Sequence, residues 1–310
     1  MHYSPAPLHI PDGFLSFAVS LICWTISVFT LSIAISRTNK SLGERHLPLM
    51  GVMAAFIFAA QMINFPVAGG TSGHLLGGAL ASIVIGPWAA MLVMTAVIAV
   101  QALLLQDGGL LVMGANILNM GLLTAAVGYG LYRSVLGKSL GTKLTVAGMA
   151  AWISVMTGAL TTSLQLWLSG TARLDIVLPA MLGVHAVIGV GEAAITVAAL
   201  GFIFRTRPDL LDENSDSAQG SRAWVFAGVM IALVVVLFSP LASTNPDGLN
   251  RVAMDLGFIG AARSGSGPLA GYVVPFLTAA SASKIVAGVL GALVVLAVAF
   301  FFGRTLQKKT

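Results

Sequence analysis

Apolar residues gather into runs of about twenty, the length that crosses a bilayer as α-helix, with short polar breaks between them. The runs fall near 14–36, 47–64, 75–86, 88–105, 110–132, 144–168, 176–204, 222–240 and 284–303. Apolar/polar alternation over about ten residues, the mark of a membrane β-barrel, is sustained nowhere. The pattern predicts an all-α membrane protein.

The stretch 75–105 reads either as one long helix or as two short ones divided at Gly86-Pro87. Loop charge decides between them. With the division and an external N-terminus, 12 of the 16 basic residues fall in cytoplasmic segments and 4 outside. Without it every later loop changes sides, and the tally becomes 7 inside against 9 outside. The excess of Lys and Arg that characterises cytoplasmic loops favours the division. Nine spans are therefore expected, with the N-terminus outside and the C-terminus in the cytoplasm.

Composition agrees. Only 9% of the 310 residues are charged and 57% are hydrophobic, whereas a soluble domain carries about a quarter charged residues. The net charge of +5 sits in short loops, so it reads as topology and gives no reason to expect nucleic acid. The single cysteine, Cys23, lies inside an apolar run and offers neither an intrachain disulfide nor a thiolate metal cluster. The lead before the first span is short and lacks Lys and Arg, so no cleavable signal peptide is expected.

The most polar stretch, "RPDLLDENSDSAQGSR" at 207–222, holds four of the eleven acids. It predicts a cytoplasmic linker, 206–221, between a seven-span unit, 1–205, and a two-span unit, 222–310. The second unit carries an external loop, about 241–283, containing "STNPDGLNRVAMDLGF". That unit is expected to serve metal loading, leaving the pocket to the first.

Four polar clusters carry the candidate chemistry. They are the N-terminal segment with His2 and His9; the glycine-rich external turn "FPVAGGTSGHLLGG" ending at His74; "QALLLQDGGLLVMGANILNM" at 101–120; and "HAVIGVGEAAIT", where His185 and Glu192 share a helix face. Gln101, Asn116 and Asn119 read first as interhelical hydrogen-bonding groups. Glu192 reads as a paired or pathway residue, since ionisable groups within a span are costly. His9 and His74 fall on external segments, and neither has a neighbouring acid that explains it as a salt-bridge partner. Imidazole pairs of this kind suit nickel, cobalt, copper or zinc. No Walker motif and no HExxH occurs, so neither ATP hydrolysis nor a zincin-type enzyme is expected of this chain.

"HIPDGFLS", "GGTSGHLLGGALASIVIGPW", "QDGGLLVMGANILNM" and "HAVIGVGEAAIT" resemble the CbiM/NikM substrate-specific components of energy-coupling-factor transporters for cobalt and nickel. The tail with "NPDGL" resembles the PDGLE, or NikN-type, accessory domain, with Asn250 standing where that signature has Glu. The resemblance implies a seven-helix bundle plus a two-helix accessory unit in a bacterial inner membrane. It implies Co²⁺ or Ni²⁺ as the transported ligand, with no cofactor. It also implies partners: a CbiQ/NikQ-like transmembrane coupling subunit and two CbiO/NikO-like ATPases within the lipid membrane system. The chain itself is then a transporter subunit and not an enzyme. The alternative is a stand-alone proton-coupled carrier relaying protons through Glu192 and His185.

In that family the chain begins Met-His, and the terminal amine, the next amide nitrogen and the imidazole form fused chelate rings. A histidine of the GTSGH turn, His74 here, completes a nearly square-planar set of nitrogens. The resemblance therefore implies His9 and His74 as metal ligands. Seven residues precede Leu8, so the Leu8 nitrogen becomes an amine only after initiation at Leu8 or removal of residues 1–7. Alternatively Met1-His2 supplies the chelate, with residues 3–8 as an extended arm.

Overall fold

The computed structural model describes residues 8–41, 46–208, 223–263, 265 and 267–306. His2 with the rest of residues 1–7, most of the expected linker (209–221) and residue 222 lie outside the described residues. Helix α1 spans Phe17–Ser41 and α2 His46–Gln61; a small hairpin follows, β1 Phe65–Val67 against β2 Thr71–Gly73. Helix α3 (Gly78–Ile85) and α4 (Pro87–Val100) come next, then α5 (Met113–Asn116) and α6 (Thr124–Tyr132). The long helices α7 (Leu140–Leu168) and α8 (Leu174–Thr206) form an extensively packed pair. The remaining elements are α9 (Ala223–Leu237), α10 (Gly248–Asp255) and α11 (Ala280–Leu306).

The apolar run 75–105 is broken where the loop charges require it. Gly86 has φ 77° and ψ 159°, a conformation that only glycine adopts readily, and Pro87 opens α4 with φ already set for a helix. Among the described residues, six helical segments are long and apolar enough to cross a bilayer by themselves. Helix α2 is a shorter apolar helix of 16 residues. Helix α3 has 8 residues, about 12 Å at 1.5 Å per residue. Helix length alone therefore does not reproduce a division into seven spans and two.

Two π-helical stretches, Gln101–Leu105 at the end of α4 and Ile117–Leu123 between α5 and α6, flank the turn 106–112. Such widened turns re-aim side chains and concentrate at functional sites. Here they point polar groups into the bundle. Gln101 donates to Gln61 Oε1 at 2.9 Å, and Asn119 exchanges hydrogen bonds with Gln165 at 2.7 and 2.9 Å. These side chains link helix to helix, each such bond contributing roughly 0.6 kcal/mol in a membrane.

The last two long helices pack on α2 through glycines. A Cβ at Gly291 would lie 2.2 Å from Phe58 Cζ, at Gly288 2.6 Å from Met62 Cε and at Gly228 2.5 Å from Val52 Cγ1. Close backbone approach of this kind replaces the hydrophobic drive that lipid cannot supply. At one end of the bundle the segments expected outside converge. Arg263 N donates to Asp12 O at 2.7 Å, Leu269 N to Leu104 O at 3.0 Å and Ser243 N to Asn64 O at 2.8 Å. Phe14, fully buried, meets Phe258 edge to face at 5.1 Å between ring centroids.

Candidate metal centre

The segment Leu8–Asp12 is stitched to the turn between the two π stretches. Leu8 N donates to Asp107 Oδ1 at 2.6 Å, Ile10 N to Asn116 Oδ1 at 3.0 Å, and Asn116 Nδ2 returns a bond to Ile10 O at 3.0 Å. Asp12 accepts from Leu110 N and Val112 N, both at 3.1 Å. The Pro11-Asp12-Gly13 turn is thereby anchored. Gly13, at φ 95°, has no room for a side chain, since a Cβ would overlap the Ala261 carbonyl at 2.0 Å. His9 is consequently held with 2% of its surface exposed.

His74 leaves β2 and is fixed from behind. The carboxylate of Glu192, fully buried on α8, accepts Leu76 N at 2.6 Å and Gly77 N at 2.9 Å. Gln61 binds the Leu76 carbonyl at 2.8 Å. The loop after His74 is thus pinned on two sides, and Glu192 is a paired residue whose partners are backbone amides.

The two rings meet edge to face, with centroids 5.6 Å apart. A cavity of about 70 Å³ lies against them, lined also by Leu8, Asn116, Asn119, Met181, His185, Asp247 and Leu249. A larger groove of about 980 Å³ near Trp167 and Arg173 is open, and its charged pair Arg173–Asp175 is exposed and self-satisfied at 2.7 Å. The histidine cavity is the site with buried donors.

Three histidines line it in one tautomer. The Nδ1 atoms of His9, His74 and His185 lie 2.8, 2.9 and 2.8 Å from the carbonyls of Asp107, Leu75 and Met181. A carbonyl only accepts, so each Nδ1 is the donor in these bonds. Backbone anchoring of one ring nitrogen is how proteins orient imidazole toward metal. The Nε2 of His9 is buried with no hydrogen-bond partner. Burial, and next the His9 ring, hold the His74 imidazole below its ordinary range, which keeps it neutral and able to ligate. Burial pushes the Asp247 carboxyl up to about 7.

Among the described residues no three His, Cys, Asp or Glu side chains converge closely enough to hold an ion as they stand. A chelate through the backbone nitrogen of His9 closes through Nδ1, which here donates to Asp107.

The fold brings together His9 and His74 from the candidate set, with Leu8 beside them; His2 is outside the described residues. His185 and Asp107 come from the candidate clusters, His185 lining the cavity and Asp107 bound to Leu8 N, whereas Asp247 on the cavity wall and Tyr272 on Asp107 are new. The pocket is expected to belong to residues 1–205 alone, yet Asp247 and Leu249 of the second unit line the histidine cavity. His9 and His74 also have acids nearby in space, Asp107 and Asp247, delivered by turns about 100 and 170 residues away in the chain. The signal available for them was the polarity of "QDGG" and "NPDG" within otherwise apolar surroundings.

Residues 9–210 match the family of cobalt uptake substrate-specific transmembrane regions, CbiM, and residues 222–308 match the PDGLE domain. A fused NikMN protein of Archaeoglobus fulgidus, assigned to nickel transport, is 32% identical over 301 residues, covering 96% of this chain and 98% of that one. A protein of Haloquadratum walsbyi assigned to metal transport is 40% identical over 206 residues, 66% of this chain and 93% of its own. The crystal structure of a truncated transition metal transporter superposes with a TM-score of 0.58 at 33% identity, covering 64% of this chain and 98% of that one.

Proposed function

Because the chain belongs to the family of cobalt uptake substrate-specific transmembrane proteins, CbiM, we propose that it is the metal-binding subunit of an ATP-driven energy-coupling-factor transporter importing Co²⁺ or Ni²⁺. The relatives assigned to nickel and metal transport support a metal cargo. The observation that carries the site is the buried, unpartnered Nε2 of His9 facing a cavity shared with His74. A buried polar atom without a partner calls for an ion or water to satisfy it.

His9 and His74 supply imidazole nitrogens, and the Leu8 nitrogen joins them as an amine where Leu8 is the mature terminus. Tetragonal nitrogen sets select Ni(II), and accommodate cobalt, over magnesium and calcium. The ion enters at the extracytoplasmic end, where the N-terminal segment, the hairpin and the loop 239–279 meet. The C-terminus lies in the cytoplasm. A CbiQ/NikQ-like coupling subunit and two CbiO/NikO-like ATPases drive the release inward.

Titration calorimetry of the purified chain with NiCl₂ and CoCl₂ tests this. One tight site, lost in His74→Ala, is the expected result; undiminished binding by that variant overturns it. A proton-coupled carrier relaying through Glu192 is disfavoured, because both oxygens of that carboxylate are occupied by loop amides. Uptake by the chain alone in vesicles under a proton gradient would favour the carrier.

A further inference from the structure

The second unit reaches the histidine cavity by one turn, Asn245-Pro246-Asp247-Gly248. That turn is docked by backbone. Ser72 N donates to Pro246 O at 2.8 Å and Ser72 Oγ to Asn245 O at 2.8 Å, two residues before His74. Asp247 is 5% exposed and caps α10 through Oδ1, which accepts Asn250 N at 2.7 Å. Its neighbour Gly248 is pressed against α8: a Cβ there would lie 2.9 Å from His185 Cε1 and 2.8 Å from Ile188 Cδ1. The Asp247 turn and the His185 ring are therefore adjoining parts of one wall. His185 Nδ1 is spent on Met181 O, which leaves Nε2 with its lone pair.

A divalent cation entering this enclosed space needs negative charge, and neutral imidazoles provide none. Asp107 is already committed, with Oδ1 to Leu8 N and Oδ2 to the Tyr272 hydroxyl. Asp247 is the carboxylate that the cavity wall itself presents. An imidazole and a carboxylate, with water filling the remaining positions, suit hydrated Co(II) or Ni(II).

We infer that His185 and Asp247 form a second, weaker cation site, a loading station from which the ion passes to His9 and His74. This rests on the reading that His9 and His74 are the tight seat. The second unit then contributes a ligand as well as a cover.

The test uses the full-length chain in detergent, with Co²⁺ as probe, read by its visible absorption and by titration. Four proteins are compared: the unaltered chain, His74→Ala, Asp247→Asn and the double variant. Asn also caps helices, so Asp247→Asn retains α10, and melting temperature checks this. Expected results are a residual weak site in His74→Ala that the double variant loses, and Co²⁺ association at least tenfold slower in Asp247→Asn. Binding by the double variant equal to that of His74→Ala, with an unchanged association rate in Asp247→Asn, overturns the station while leaving the tight seat intact. Tight binding retained by His74→Ala overturns the seat, and the station falls with it.

Discussion

Tyr272 donates its hydroxyl hydrogen to Asp107 Oδ2 at 2.7 Å, and the other oxygen of the same carboxylate holds Leu8 N at 2.6 Å. One aspartate thus ties the N-terminal donor segment to the second unit. Burial, with Asp107 beside it, lifts the Tyr272 hydroxyl well above its ordinary range, so the tyrosine stays a donor at any physiological pH. Tyr272→Phe removes a bond to a charged group, worth about 1.5–3 kcal/mol. The expected outcome is metal dissociation about tenfold faster or more with the fold retained, measured by chelator-chase kinetics. An unchanged off-rate would show that the bond does not hold the segment.

Replacing either ring of the His9–His74 pair with Ala is expected to remove tight binding, since neither alone retains a ligand opposite it. His2→Ala is expected to leave binding intact, because the segment Leu8–Asp12 places His9 against His74. Calorimetry on the three variants, with N-terminal sequencing of the native protein, checks both statements. Loss of binding in His2→Ala but not His9→Ala would assign the chelate to Met1-His2.

Glu192→Gln keeps the shape of the side chain but turns one acceptor into an NH₂ group facing an amide N–H, at either Leu76 or Gly77. Leaving a buried donor unsatisfied costs about 1–3 kcal/mol. The expected effect is a tenfold or greater loss of Ni²⁺ affinity because His74 is no longer held. Glu192→Asp, which keeps both acceptors, is expected to recover part of it. Equal affinity in all three proteins would remove Glu192 from the support of the site.

The His74 imidazole is held below its usual value in the folded protein. A group that resists protonation when folded contributes full stability above its unfolded value, about 6.5, and loses it as pH falls through that value. Against His74→Gln in metal-free protein, the difference in melting temperature is therefore expected to be level from pH 8 to 7 and to move against the unaltered chain below about 6.5, a comparison that separates this imidazole from the Asp247 carboxyl acting in the opposite sense. Above pH 7 this imidazole is already neutral. A Ni²⁺ affinity that still climbs between pH 7 and 8.5 then reports protons leaving backbone nitrogen, the outcome expected if the Leu8 amine is a ligand. A flat profile removes backbone nitrogen from the donor set.

Much of this arrangement is legible in the chain. The Gly86-Pro87 break follows from loop charge and appears as a helix end at Gly86. His9 and His74 are brought to one cavity, and Gln101 and Asn119 link helices as their residue types suggest. What the pattern hides is equally specific. Helix α3 holds only eight residues, Gly78–Ile85, and hydropathy does not record where the loop after His74 gives way to helix. The π stretches leave no compositional trace, since a widened turn changes hydrogen-bond partners and not residue types. Asp107, Asp247 and Tyr272 belong to turns whose positions depend on long-range docking, such as Ser72 on Pro246.

The Glu192 clamp makes α8 a lever. The helix runs unbroken for 33 residues, and Glu192 stands 14 residues, about 21 Å at 1.5 Å per residue, from its Thr206 end. A tilt of about 10° pivoting at that end would carry the carboxylate sideways by about 4 Å, farther than a hydrogen bond can stretch. Either the loop bearing His74 travels with the helix, or the clamp breaks. Any torque applied to the far end of α8 would therefore shift His74 relative to His9, and in the proposed metal seat grip on the ion would become a function of helix angle.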